Sequence, residues 1–211
     1  MATDQFSTIV RKKSERRRPY GALQHLELRV NGVTARGGQD GSYRSEPSGN
    51  FDSLSSTLDT GFVTTGFNRG IYRFALEFNV SDIPLNSLVL EAKLQLSCHS
   101  PDLASHTVLA GFAGDGRVTL DDLTAGRDLQ EFRMPETGEI TLDVTSFVGE
   151  IVKDGSGWAG FNLRQDPLLD TGRCPATWHG PSLPTAPQLS ILFKKPRTSL
   201  VYFCQRLVGL V

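Results

Sequence analysis

Hydrophobic and polar residues alternate regularly at positions 71–80, where the sequence reads IYRFALEFNV. The apolar positions on one side are two residues apart, namely Tyr72, Phe74, Leu76, Phe78 and Val80. A period of two is typical of a β-strand that buries one face and exposes the other. After a Ser-Asp-Ile-Pro turn, the alternation returns in LVLEAKLQLSC at positions 88–98. The sequence therefore predicts two consecutive, half-buried strands.

Shorter alternating segments predict further strands. They lie at positions 23–30, 106–113, 138–144, 158–165 and 187–193. Positions 37–61 are rich in Gly, Ser and Asp and have almost no apolar period. We expect a long loop there, with at most short edge strands.

One segment has a helical period instead. Its apolar residues recur at offsets of three, four, seven and eight, at Val144, Phe147, Val148, Ile151 and Val152. This spacing places them on one stripe of a helix of about three turns. Asp143 is the predicted cap at the start of the helix, and Gly155 marks its predicted end.

The mixture of many strands and one short helix indicates the fold class. It favours two packed antiparallel sheets over a doubly wound parallel sheet. We therefore predict an all-β antiparallel β-sandwich with one short helix, formed by a single domain at residues 21–195. A basic, disordered tail is predicted at residues 1–20, and an apolar tail or extra strand at residues 196–211.

Charge gives little indication of a strongly electrostatic partner. The 211 residues carry a formal net charge of -1, which produces no overall field that attracts nucleic acid or an anionic membrane. Six of the eight residues at positions 11–18 are basic, but no aromatic residue lies between them. We interpret this run as a solvated tail, and no nucleic-acid partner is predicted.

Cysteine content and hydropathy leave the cellular compartment open. Three scattered cysteines are too few for a disulfide framework, and an odd number leaves at least one free thiol. Positions 1–21 contain no apolar run of the kind found in a secretory signal. The apolar stretch at positions 199–211 is shorter than the ~20 residues that cross a bilayer, so we predict no membrane span. The oligomeric state stays open.

Six motifs follow one another between positions 60 and 194. They read YRFALEFNVSDIP, LVLEAKLQL, GDGRVTLDDL, LDVTSFV, WAGFNLR and PQLSILF. In this order they resemble the DNRLRE-type family of bacterial surface β-sandwich modules. The resemblance implies a jelly-roll-like sandwich of the carbohydrate-binding-module type, usually non-catalytic and exported. It also implies an extracellular or cell-surface location, with polysaccharide binding or surface adhesion as the function.

Three residues in a segment rich in Pro and Gly, at positions 170–187, are candidates for ligand binding: Trp178, His179 and Arg173. Proline and glycine hold such a loop in place, and an exposed indole offers a flat apolar surface with a polar N–H at its rim for a sugar. The alternative is that Trp178 folds back to cover an open end of the sandwich.

The motif GDGRVTLDDL resembles part of a calcium loop. Asp115, Asp121 and Asp122 could supply hard oxygen ligands to a weakly bound Ca²⁺. The first and third positions of such a loop fall on Gly111 and Ala113, which have no side-chain oxygen. The alternative is that Asp115 and Gly116 form a tight turn after a strand.

No catalytic or zinc motif is present in the sequence. There is no G-x-S-x-G, phosphate loop or dinucleotide fingerprint. A zinc site would have to combine Cys98, His99, His106, Cys174 and His179, but these show neither C-x-x-C nor H-x-x-x-H spacing. Paired carboxylates for glycoside hydrolysis would require Asp143 with Glu136 or Glu139, and Asp143 is already the predicted helix cap.

The leading hypothesis is therefore a non-catalytic β-sandwich module that binds a polysaccharide or mediates surface adhesion, with no cofactor beyond the Ca²⁺ considered above. A second hypothesis is a structural or assembly module that docks through the apolar segment LVYFC at positions 200–204 by edge-strand addition. A third is a hydrolase that acts on polysaccharides with a site in the loops.

Overall fold

A computed structural model describes residues 20–29, 35–40, 57–65, 68–100, 106–133, 138–165 and 176–196. Most of these residues form antiparallel strands. The strands are β1 (Tyr20–Arg29), β2 (Ala35–Asp40), β3 (Thr57–Thr65), β4 (Asn68–Asn79), β5 (Leu88–Ser100), β6 (His106–Gly114), β7 (Arg127–Arg133), β8 (Glu139–Asp143), β9 (Trp158–Gln165), β10 (Ala176–His179) and β11 (Gln188–Pro196). The helix α1 spans Thr145–Asp154. The predicted all-β sandwich with one short helix is confirmed.

The first sheet consists of β1, β11, β5 and β8. β11 pairs with β1 on one side and with β5 on the other, and β5 pairs with β8 on its opposite side. The registers place Ile191 opposite Ala92, and Leu94 opposite both Leu189 and Leu142. Because residues directly opposite each other point to the same face, this register collects the apolar positions of the strands on one side of the sheet.

The second sheet is built around β4. This strand pairs with β2 along one edge, and along the other it pairs first with β3 and then with β9. β9 continues the sheet to β6, and β6 to β7. The short strand β10 pairs with β3 of the second sheet and with β5 of the first, so it connects the two sheets at one end of the sandwich.

The core lies between the inner faces of the two sheets. Phe74, Leu76, Phe78 and Val80 are buried there, as the alternation in β4 predicts. The ring of Phe161 in β9 contacts Phe78 edge to face, with centroids 6.0 Å apart, and Phe147 of α1 at 5.3 Å. Helix α1 therefore closes the same core that the sheets form.

The outer face of the second sheet is also partly buried, which the alternation does not predict. Residues 115–126, which we call the covering segment, lie across it. Val118 and Leu123 of this segment form a second apolar cluster with Ala75 and Phe112 of the sheet. The Asn162 side-chain amide donates hydrogen bonds to the carbonyl oxygens at positions 122 and 125, at 2.9 and 2.8 Å. The covering segment is thus held by both apolar and polar contacts.

Helix α1 matches its sequence prediction closely. The stripe residues Phe147, Val148, Ile151 and Val152 are buried. The predicted cap, Asp143, is one residue too early: the N-cap position is Val144, which makes no side-chain capping hydrogen bond. Asp143 Oδ1 still accepts a hydrogen bond of 2.9 Å from the Thr145 backbone N–H, one of the free donors at the start of the helix. Gly155 ends the helix in the left-handed conformation, with φ of 76°.

Two predicted loops contain strands. The predicted loop at positions 37–61 includes the end of β2 and the start of β3, and β3 is not an edge strand because it pairs with both β4 and β10. The predicted loop at 170–187 includes β10, and β7 was not predicted at all. These strands are short or polar and have little apolar alternation. They are strands because their backbones pair with adjacent strands of the sheets. The predicted tails at 1–20 and 196–211 lie outside the described residues except at Tyr20 and Pro196, which belong to β1 and β11.

Candidate functional site

The outer face of the first sheet carries a polar surface where β5 and β8 pair. Leu94 and Leu142 point into the core, so their neighbours in the two strands point outward. The register places Gln95 opposite Thr141, and Ser97 opposite Glu139. Two cross-strand pairs of hydrogen-bonding side chains therefore lie side by side on this face.

A turn beside these strands converts the surface into a groove. Backbone hydrogen bonds from Leu183 N–H to the Gly180 carbonyl (3.3 Å) and from Ala186 N–H to the Leu183 carbonyl (3.0 Å) fold residues 180–187 compactly. The resulting cavity has a volume of about 180 Å³. It is lined by Gln95, Leu96, Ser97, Glu139, Ile140, Thr141, Pro184, Thr185, Ala186 and Gln188. We call it the polar groove.

The chemistry of the polar groove is that of neutral hydrogen-bonding groups. Two amides, from Gln95 and Gln188, can each donate and accept, and the hydroxyls of Ser97, Thr141 and Thr185 can do the same. Glu139 is the single carboxylate among the described residues that line the groove. Such a set suits a ligand rich in hydroxyl groups, and its aliphatic residues supply the apolar part of the wall.

Trp178, the first predicted ligand residue, lies in the core. Its side chain is 1% exposed, and its Nε1–H donates a hydrogen bond of 2.9 Å to Thr60 Oγ1. The indole also contacts the rings of Phe74 and Phe132 edge to face, with centroids 6.1 and 6.5 Å apart. Ala176 and Trp178 point inward because β10 alternates, so the indole presents no face on which a sugar could stack.

His179, the second predicted ligand residue, points the other way and is partly exposed. Its Nδ1 is hydrogen-bonded to Oγ1 of Thr185, which lines the polar groove. The imidazole of His99 lies beside it, with ring centroids 6.0 Å apart. His179 therefore sits at one end of the polar groove. The third predicted residue, Arg173, lies outside the described residues.

The predicted calcium ligands close local turns. Asp115 Oδ1 accepts a hydrogen bond of 2.8 Å from the Arg117 N–H, and Asp122 Oδ2 accepts one of 2.6 Å from the Thr119 N–H and one of 2.9 Å from its hydroxyl. Gly116 has φ of 90°, as a tight turn requires. Asp121 is exposed in the same segment. In the part of the chain that the structure describes, no group of three or more His, Cys, Asp or Glu could hold a metal ion.

A buried carboxylate that the sequence pattern missed lies beneath this turn. Glu77 is fully buried, and its carboxylate accepts hydrogen bonds from the backbone N–H groups of Gly116 at 2.7 Å and Asp115 at 3.3 Å. Burial raises its pKa above the ordinary value, and the two N–H donors offset part of that effect. A Cβ on Gly114 would lie 2.4 Å from Glu77 Oε1, so glycine makes room for the carboxylate. The role of Glu77 is to anchor the covering segment.

Glu139 of the polar groove and Asp143 at the end of β8 do not form a hydrolytic pair. Glu139 and Asp143 lie on the same face of β8, and four residues of a strand span about 13 Å, beyond the ~5–9.5 Å used by glycosidases. Asp143 is also engaged by Thr145, whose hydrogen bonds hold the pKa of this carboxyl below its usual range. Glu136, the other predicted partner, lies outside the described residues.

Neither the protein-family models nor the curated protein sequences give a match to this chain. Within the described ranges, no helix combines the length and apolarity needed to span a membrane.

Proposed function

We propose that this protein is a non-catalytic β-sandwich module that binds a neutral polysaccharide in the polar groove. The observation that carries the proposal is the set of outward-facing amides and hydroxyls on β5, β8, the start of β11 and the adjoining turn. The ordered motifs that resemble DNRLRE-type surface modules support the same function.

Neutral polysaccharides suit this groove because their many hydroxyl groups each donate and accept hydrogen bonds with a protein surface. Gln95, Gln188 and Glu139 offer bidentate or paired contacts to adjacent hydroxyls. A hydrogen bond contributes only ~0.5–1.5 kcal/mol after desolvation, and no aromatic residue is among the described residues that line the groove. We therefore expect weak binding to each sugar unit, with Kd values in the range of about 0.1 to 1 mM.

Binding is tested by isothermal titration calorimetry of the full chain against a panel of soluble neutral and acidic polysaccharides. We expect heat with at least one neutral member, and a three- to tenfold weaker affinity for Gln95→Ala and Glu139→Gln, roughly one lost hydrogen bond each. Gln130→Ala is the matched control, since Gln130 is an exposed strand glutamine on β7. No binding to any polysaccharide, or equal losses in the control, contradicts the proposal.

A second candidate function is assembly through the edge of the first sheet. Leu23 is 52% exposed on β1, which pairs only with β11 among the described strands. Leu88, 38% exposed, lies in the same cross-strand row, because both residues are opposite Lys194. The predicted docking segment at positions 200–204 lies outside the described residues. Sedimentation velocity decides between the candidates: a mass that rises with concentration, without polysaccharide binding, favours assembly.

A further inference from the structure

Two histidines on neighbouring strands face each other at the end of the polar groove. β10 pairs with β5 so that Trp178 is opposite Cys98, and both of these side chains are buried. The next residues in each strand, His179 and His99, therefore point to the outer face. Their imidazole rings are 6.0 Å apart between centroids and tilted by 39°.

This separation suits two ligands of one metal ion. An imidazole nitrogen lies ~1.1 Å from its ring centre and binds zinc at ~2.0–2.1 Å, so two ligating rings have centres at most ~6.4 Å apart. A tetrahedral angle at the metal requires a separation of about 5.2 Å. The observed 6.0 Å lies inside the limit, and the rings need to approach each other by less than about 1 Å.

The hydrogen bond on His179 prepares its ring for this role. Nδ1 of His179 is bound to the Thr185 hydroxyl. When Nδ1–H donates to that oxygen, the lone pair is on Nε2, which is then free to bind a metal. Metal-bound histidines usually have such a partner on their second nitrogen, because it fixes the tautomer and the ring orientation.

We propose that His99 and His179 form a binding site for a divalent first-row transition metal, with solvent completing the coordination. Imidazole ligands suit Cu²⁺, Ni²⁺ and Zn²⁺, and the general order of affinity places Cu²⁺ first. The site does not depend on polysaccharide binding. The site borders the polar groove through Thr185. The coordination positions of the metal that solvent fills would therefore lie next to any ligand bound in the groove.

The other two histidines provide matched controls. His25 Nε2 is 2.8 Å from the Ser190 hydroxyl, and His106 Nδ1 is 2.8 Å from the Glu131 carboxylate. His179 also has a hydroxyl partner, Thr185, so what distinguishes His99 and His179 from these two controls is their contact with each other.

The test is a titration of the full chain with Cu²⁺, followed by calorimetry and by electron paramagnetic resonance, which counts the coordinating nitrogens. A chain with Cys174→Ser and Cys204→Ser is used in parallel, so that these thiols cannot hold the metal; Cys98 is retained because it is buried. We expect one equivalent bound with two imidazole nitrogens. His99→Ala and His179→Ala each weaken binding roughly tenfold or more, and His25→Ala and His106→Ala leave it unchanged.

The remaining outcomes overturn the proposal. Absence of binding, equal binding by the His99→Ala and His179→Ala variants, or loss of binding only when the two cysteines are replaced each show that the pair is not the site. Circular dichroism of each variant confirms that it is folded, and both replaced side chains are at least partly exposed, so we expect intact folds. Thr185→Val adds a readout of positioning: it weakens binding less than either histidine variant does.

Discussion

Whether a single side chain in this protein is buried or exposed depends on which segment packs over its face of the sheet. Glu77 occupies a position that the alternation of β4 assigns to solvent, yet it is fully buried because the covering segment lies over it. Trp178 lies in a segment whose Pro and Gly content predicts a loop, yet its indole is in the core. In both cases the residue type alone was compatible with two opposite environments.

The buried carboxylate of Glu77 predicts a pH dependence of stability. Its pKa is raised in the folded chain, so the folded state binds the proton more tightly than the unfolded state does. The resulting stabilisation is fully present below the unfolded pKa and is lost as the pH rises through the folded pKa. We expect the free energy of unfolding of the native chain, relative to Glu77→Gln, to increase when the pH is lowered from 7 to 4.

Urea denaturation of the two proteins at several pH values measures this difference. The comparison subtracts the contributions of the carboxyl groups that do not interact with position 77, so the titration of Glu77, with its coupling to Asp115 and Asp122, remains. A difference that is constant, or that decreases on acidification, is incompatible with the raised pKa.

At the scale of elements, the apolar stripe of the helix and its end at Gly155 were readable from sequence, whereas several strands were not. Helix α1 has a continuous apolar stripe, an Asp before it and a Gly after it, and each of these signals acts within about ten residues. β10 has four residues and β7 is mostly exposed. Short or polar strands carry little local signal, because their stability comes from hydrogen bonds with strands that are distant in sequence.

Two glycines at helix α1 give a matched prediction. Gly155 has φ of 76°, and a side chain in this left-handed region costs ~1–2 kcal/mol. Gly149 lies inside the helix, where an added Cβ would be 3.9 Å from Val89 Cβ, an ordinary contact. We expect Gly155→Ala to destabilise the protein by ~1–2 kcal/mol and Gly149→Ala to stabilise it by ~0.5–1 kcal/mol. Thermal and urea unfolding measure both, and effects of the same sign contradict the assigned backbone conformations.

At the scale of the whole molecule, β10 and Trp178 connect the two sheets. β10 pairs with both sheets, and Trp178 reaches Thr60 of β3 through a buried hydrogen bond. A buried donor or acceptor that loses its partner costs ~1–3 kcal/mol. The connection between the sheets therefore depends on a polar contact inside an apolar environment.

This contact predicts a non-additive pair of substitutions. Trp178→Phe removes the donor and leaves the Thr60 hydroxyl without this partner, and Thr60→Val removes the acceptor and leaves the indole N–H unpaired. Each substitution should cost ~1–3 kcal/mol of the free energy of unfolding. The double variant should cost less than the sum, by about 1 kcal/mol, because the second change removes a group that is already without its partner. Trp158→Phe is the control for the tryptophan substitution, since Trp158 is only half-buried. Combined with Thr60→Val, it should give an additive change in the free energy of unfolding. Strict additivity in urea denaturation would show that the hydrogen bond does not form.

The polar groove was only partly predictable. The alternation of β5 and β8 already assigns Gln95, Ser97, Glu139 and Thr141 to the side away from the core. The pairing of these two strands, and the position of the turn at 180–187 beside them, depend on contacts between residues more than 40 positions apart. No local pattern records such contacts, and the proximity of His99 and His179 arises in the same way.

Local patterns in the sequence specify the class of fold, the two long central strands, the apolar stripe of the helix and its end at Gly155, because periodicity and the glycine signal act over a few residues. The tertiary structure alone decided which outward-facing side chains meet, that the covering segment buries Glu77, and that Trp178 turns inward while His179 turns outward. These outcomes depend on strand order and register, which are set by the packing of the whole chain rather than by any one segment.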